Sequence, residues 1–164
     1  IFSAYRRAME YLVEDGASPL EIDTALENFG FAMGPFSVFD MSGLDIAWAM
    51  RKRNAATRDP AQRYVNIADR LCELGLFGRK TGRGWYDHSS KERRLSAEAL
   101  RLIAEEREAK SIVPHAIRPE EALSQILQVN SVLTMGREVA APDIAERADD
   151  FEYHCRKAEA PVEG

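Results

Sequence analysis

Cysteine is almost missing from this chain: Cys72 and Cys155 are the only two in 164 residues. Two thiols make no disulfide framework, so the fold must rest on its own apolar core. Cys72, within Ile67-Ala68-Asp69-Arg70-Leu71-Cys72, reads as a small apolar residue, and a reducing cytoplasm is the simplest compartment. Long apolar runs are missing too. None approaches the roughly 20 residues that cross a bilayer, so no membrane span is expected. Neither sign of charge dominates, with 22 Lys and Arg against 27 Asp and Glu. The net charge is −5, and the basic clusters Arg51-Lys52-Arg53 and Lys91-Glu92-Arg93-Arg94 are short or mixed with acid. That is no footprint for nucleic acid, and the clusters read as solvated helix ends or loops. Chemical signatures are sparse as well. There is no Gly-x-Gly-x-x-Gly, no Gly-x-x-x-x-Gly-Lys-Ser/Thr and no clustered metal-ligand motif. Ser3, Ser42 and Cys72 lack a nucleophile-elbow context. His88, His115 and His154 are scattered through predicted loops and the tail and read as ordinary exposed histidines. The chain opens at Ile1 inside an apolar pattern with no cap, and it reads as one part of a larger machine.

What is present is helical periodicity punctuated by glycine and proline. Ile1, Phe2, Tyr5, Met9, Leu12 and Val13 recur at three- and four-residue steps and predict a helix over 1–15, ended by Gly16. Ser18-Pro19-Leu20-Glu21 supplies an N-cap, a first-turn proline and a capping-box acid. The helix it starts carries Ile22, Ala25, Leu26 and Phe29 on one face, with Gly30 as its C-terminal cap. Pro35 opens a short helix through Asp40. Another is expected from about Leu44 to Arg53, with its basic last turn at the negative end of the dipole. Asp59-Pro60 reads as the next start, with Tyr64, Ile67, Ala68, Leu71 and Leu74 as its stripe and Gly75 as its end. Residues 88–94 read as a linker. Ser96 caps a helix bearing Leu100 and Ile103, with Leu95 stapled onto Leu100, and Glu105–Lys110 with Pro114 reads as a second connection. From about Pro119 to Val139 the pattern is helical again, with Ala122, Ile126, Val129, Leu133 and Met135. No strand of more than a few residues is expected, so the fold class is all-α.

Two glycine-punctuated stretches stand apart. The first runs from Phe29-Gly30-Phe31-Ala32-Met33-Gly34-Pro35-Phe36 to Gly43-Leu44-Asp45. The second is Phe77-Gly78-Arg79-Lys80-Thr81-Gly82-Arg83-Gly84-Trp85-Tyr86. In the second, glycines let the backbone approach a ligand closely, and Lys80 is a compact cation suited to phosphate, the competing reading being a hinge turn with a solvated lysine. Asp40 and Asp45 flank Met41-Ser42-Gly43-Leu44. Asp45 is placed to cap the following helix, and Asp40 to accept from the amides of that turn, so both read as structural. Phe36, Phe39, Trp48 and Trp85 read as core or interface.

These stretches, with Tyr5-Arg6-Arg7-Ala8-Met9-Glu10-Tyr11-Leu12-Val13-Glu14-Asp15-Gly16-Ala17 and Ile22-Asp23 before them, resemble in order and spacing the C-terminal helical domain of 3-hydroxyacyl-CoA dehydrogenases. The likeness is strongest to the multifunctional fatty-acid β-oxidation enzymes. It covers about residues 1–88, with Trp85 where the family usually has phenylalanine. Ile117, Pro119-Glu120-Glu121, Asn130 and Asp143-Ile144 are similar to the start of those enzymes' second helical repeat, but the later glycine-rich segment has no counterpart after Ile144. The resemblance implies a helical domain of the 6-phosphogluconate-dehydrogenase-C-terminal-like type over 1–88, a linker with a helix over 89–116, and a partial second repeat and tail over 117–164. It implies NAD as cofactor, bound mainly by an upstream Rossmann domain that also carries a catalytic His–Glu pair, and an acyl-CoA substrate. No catalytic residue is expected within this chain. Lys80 maps onto the family's cofactor-contacting lysine. Met33, Gly34, Pro35, Phe36, Asp40, Gly43, Leu44 and Asp45 are the expected substrate-side or interface residues. The partner is the Rossmann domain, a second copy in a homodimer, or a tandem repeat. The rival expectation is a non-catalytic helical interaction module.

Overall fold

A computed structural model describes residues 2–135, all of them helix, turn or loop. Seven α-helices follow in order: α1 (Phe2–Asp15), α2 (Pro19–Phe29), α3 (Pro35–Ser42), α4 (Leu44–Arg53), α5 (Ile67–Glu73), α6 (Ala97–Ala109) and α7 (Pro119–Met135). Short 3-10 turns lie at Ala55–Thr57 and Arg79–Thr81. Isolated bridges Gly78–Arg83, Arg83–Asp87 and Tyr86–Leu95 are the only β-type pairings among the described residues, so the all-α class holds. No described helix is long and apolar enough to cross a membrane. The chain divides into two units, residues 1–129 and 130–164, and the described part of the second is the end of α7. The second-repeat motifs at Asn130 lie there, and those at Asp143-Ile144, with His154 and Cys155, fall outside the described residues.

Local chemistry sets the first turns. Ser18 caps α2 with both arms of the capping box in place: its Oγ accepts from Leu20 N at 3.2 Å, and Glu21 accepts from Ser18 N at 2.8 Å. Arg107 closes the C-terminus of α1 from across the fold, donating to Val13 O at 2.6 Å and Glu14 O at 3.2 Å. Met9, Leu12, Val13, Ile22, Leu26, Phe36, Ile67, Leu71, Trp85, Tyr86, Leu102 and Ile126 form one buried cluster.

Elsewhere tertiary contacts override local signals. Asp59 does not start a helix. Its carboxylate accepts from Ala61 N at 2.9 Å and closes a turn. Tyr64 and Val65 follow in non-helical backbone, held by Lys110 Nζ on Tyr64 O at 2.5 Å and by burial of Val65. α5 therefore begins only at Ile67, where Asn66 N donates to Glu106 Oε1 at 3.0 Å. Phe29 and Leu74, expected inside, are 56% and 52% exposed. Leu100, expected under the Leu95 staple, is also exposed, and the buried face of α6 is Ala99, Leu102, Ile103 and Glu106. The charged segment from Glu105 continues α6 to Ala109 instead of breaking it. Two of its acids have partners, Glu105 in Arg70 and Arg101, and Glu106 in Asn66 and Lys110. The segment expected to link the first domain to the rest thus carries a helix that packs on α1 and α5.

Candidate functional site

Two buried aspartates build the site. Asp23 on α2 accepts from Phe36 N at 2.8 Å, Ser37 N at 2.9 Å, Ser37 Oγ at 2.7 Å and Tyr86 Oη at 2.8 Å. It serves as the missing N-cap of α3, whose own cap residue Gly34 has no side chain to offer. Asp40, near the end of α3, accepts from Trp85 N at 2.9 Å, Tyr86 N at 2.8 Å and His88 Nε2 at 2.9 Å. It therefore holds the second glycine-rich stretch, not the turn beside itself as its position in the chain suggests. Burial raises the carboxyls of both aspartates above the ordinary range, while the bonds they accept pull the other way. Burial also raises the Tyr86 phenol, with Asp23 beside it adding to the effect.

The glycines are explained by these carboxylates. A Cβ on Gly34 would lie 2.2 Å from Asp23 Cγ, and one on Gly84 would lie 2.3 Å from Asp40 Oδ1. Gly78 combines a φ of +99° with the backbone of Asp40, whose O would be 2.2 Å from an added Cβ. The two stretches are thus packed backbone against carboxylate, and Leu44 N donating to Phe77 O at 3.0 Å adds a direct strap.

This packing brings Lys80 to Asp45. Lys80 Nζ bonds Asp45 Oδ1 at 2.5 Å over the bare backbone of Gly43. The ammonium lies 5.5 Å from the centroid of the Phe77 ring. The ion pair holds the Asp45 carboxyl below its ordinary value. Lys80 is 49% exposed and Asp45 37%, so the cation is fixed in direction yet open to a ligand. Among the other expected site residues, Gly34, Pro35, Phe36, Asp40, Gly43 and Leu44 are buried and act as framework, whereas Met33 is exposed. The apolar side chains that reach solvent nearby are Val38 and Met41 on α3, and Ile46 and Met50 on α4. A cavity of about 300 Å³ lies among Val38, Phe39, Leu44, Ile46, Ala47 and Met50.

Sequence reasoning missed three participants. Asp23 was visible only as half of an Ile-Asp pair, because its partners lie 13 to 63 residues away. His88 is half-buried on Asp40 and not a free loop residue. Glu10 is buried between Arg6 and Arg51, and burial pushes its carboxyl up to about 7 although both arginines lower it. No group of three metal-ligating side chains occurs among the described residues.

The family model for the 3-hydroxyacyl-CoA dehydrogenase C-terminal domain matches residues 1–88, and the chain belongs to this family. The peroxisomal bifunctional enzyme of Cavia porcellus is 41% identical over 138 residues, covering 76% of this chain and 19% of that protein. The human enzyme of the same name is 37% identical, covering 77% of this chain and 20% of the relative. The crystal structure of the dehydrogenase part of multifunctional enzyme 1 from C. elegans matches with a TM-score of 0.60 at 28% identity, over 76% of this chain and 28% of that one. The chain spans about a fifth of the length of its curated relatives. The cytoplasmic expectation is corrected here, since those relatives are peroxisomal proteins by name. Scarce cysteine argues only against a disulfide framework and cannot separate one reducing compartment from another.

Proposed function

We propose that this chain is the substrate-side and assembly domain of an NAD-dependent L-3-hydroxyacyl-CoA dehydrogenase of fatty-acid β-oxidation. Its helical body would be of the 6-phosphogluconate-dehydrogenase-C-terminal-like type, spanning residues 1–88, with 117–164 as the beginning of a second repeat. The observation that carries this reading is Lys80, a half-exposed cation on a loop fixed by Asp40 and aimed by Asp45. The pair fits an anionic cofactor. An incoming phosphate can displace the exposed Asp45 from Lys80 without disturbing the core, because neither side chain packs inside.

In this reading NAD, when bound, accepts the hydride from the hydroxyl-bearing carbon of the substrate. The chain's own part is electrostatic and mechanical. Lys80 holds a phosphate of the cofactor, and Asp45 keeps the ammonium oriented in its absence. Met33, Val38, Met41 and Ile46 cover the cleft against the partner domain and exclude water from it. The proton is taken by the His–Glu pair of the Rossmann domain, so the chain by itself turns nothing over.

A chimera tests this. The chain replaces the corresponding fifth of the guinea pig bifunctional enzyme, and oxidation of a 3-hydroxyacyl-CoA is followed as NADH formation. The chimera is expected to be active and the isolated chain inactive. A folded chimera without dehydrogenase activity, or NAD-dependent turnover by the purified chain, overturns the reading.

A further inference from the structure

A second cavity, of about 430 Å³, opens between α1, the end of α4 and the loop before α5, and four arginines line it. Arg51 is committed to Asp69, with Nε and Nη2 each 2.5 Å from Oδ1. Arg6 has Glu10 at 3.8 Å. The other two have no carboxylate in reach among the described residues. Arg7 Nη1 rests on the neutral amide of Gln62 at 2.9 Å, and the Arg58 guanidinium carbon lies over the Tyr64 ring, 3.4 Å from its centroid. Stacking of this kind fixes the plane of the fork and leaves its edges free to donate. The cavity is therefore a concave pocket with an excess of guanidinium donors, held by aromatic and ion-pair supports that no ligand needs to displace. That is the donor set for phosphate oxygens.

The cavity shares Arg6, Glu10, Met50 and Arg51 with the apolar cavity beneath α3 and α4. Across that shared wall one cavity is largely aliphatic and the other rich in guanidinium, and a ligand with an acyl chain and phosphate groups matches the pair. We propose that Arg7 and Arg58 form a phosphate subsite, and, resting on the function proposed above, that it takes the phosphate-bearing end of a CoA thioester. Arg51 and Tyr64 are positioning residues for this subsite: Arg51 braces the wall through Asp69, and Tyr64 is the platform for Arg58.

Calorimetric titration of the 164-residue chain with CoA, decanoyl-CoA, inorganic pyrophosphate and pantetheine tests the proposal. CoA is expected to bind with a salt-dependent Kd, decanoyl-CoA more tightly, and pantetheine, which lacks phosphate, not at all. The double variant R7Q/R58Q keeps both hydrogen-bonding surfaces neutral and is expected to weaken CoA at least about ten-fold. The control K91Q/R94Q, in the distant basic cluster, is expected to leave it unchanged, and unaltered thermal melting of both variants excludes misfolding. Equal Kd values for wild type and R7Q/R58Q, or no CoA binding, overturn the subsite. Pyrophosphate binding as tight as CoA overturns its assignment to a thioester. None of these readouts uses dehydrogenase turnover, so the subsite and the proposed function fail separately.

Discussion

Replacing Asp40 should loosen the Lys80 loop and destabilise the whole body, in graded steps. The carboxylate accepts three hydrogen bonds from a segment 45 to 48 residues away, two of them from backbone amides that are otherwise buried. Asp40→Ala orphans the Trp85 and Tyr86 amides, at about 1–3 kcal/mol each, and frees His88. Removing a carboxylate that burial already disfavours returns part of this, so the expected loss is about 3 to 4 kcal/mol. Asp40→Asn keeps one accepting oxygen and should lose about 2 kcal/mol. Urea titration gives both values, provided the slope is unchanged. Hydrogen exchange supplies the local readout: the Gly78 amide, bonded to Arg83 O at 2.8 Å, and the Gly84 amide, bonded to Tyr86 O at 3.0 Å, should exchange faster in both variants. A loss below about 1 kcal/mol for alanine, or asparagine as damaging as alanine, would refute the reasoning.

Three further outcomes follow from the same contacts. Gly34→Ala and Gly84→Ala place a methyl within 2.3 Å of Asp23 or Asp40 and should cost about 3 kcal/mol or more by urea titration, whereas Gly75→Ala, strained but open, should cost less. Glu10, pushed up to about 7 from 4.5, binds more proton in the folded than in the unfolded chain between those values. Stability should therefore fall as pH rises through that window, by about 3 kcal/mol at most, and E10Q should remove that slope; parallel stability–pH curves for the two proteins would contradict it. Lys80→Ala should leave thermal melting of the isolated chain unchanged, since its ion pair with Asp45 is exposed and screened; a fall of several degrees would show that the lysine serves the fold.

The helices and caps that depend on neighbours in sequence were legible: the capping box at Ser18–Glu21, Pro35 opening α3, and Ser96 capping α6. The meeting of Lys80 with Asp45 was not, since 35 residues separate them. What remained hidden was long-range. Asp59-Pro60 has the composition of a helix start, but Val65 is buried and Tyr64 O is bonded to Lys110, both in non-helical backbone. Glu105 to Lys110 read as a connection, yet Glu105, Glu106 and Lys110 are met by Arg70, Asn66 and Glu14, none adjacent in sequence, and the helix continues. Asp23 and His88 gave no local sign because their partners are across the fold. The excess of guanidinium at Arg7 and Arg58 likewise emerges only when α1 and the loop before α5 face each other.

The most direct test of the account is NADH binding to the guinea pig chimera, with and without Lys80→Ala, followed by fluorescence at fixed ionic strength. Loss of one charge-assisted phosphate contact predicts a Kd about ten-fold higher for the variant, with acyl-CoA binding unchanged. An equal Kd for both proteins would contradict the cofactor role of Lys80 and leave the glycine-rich loop as a structural turn.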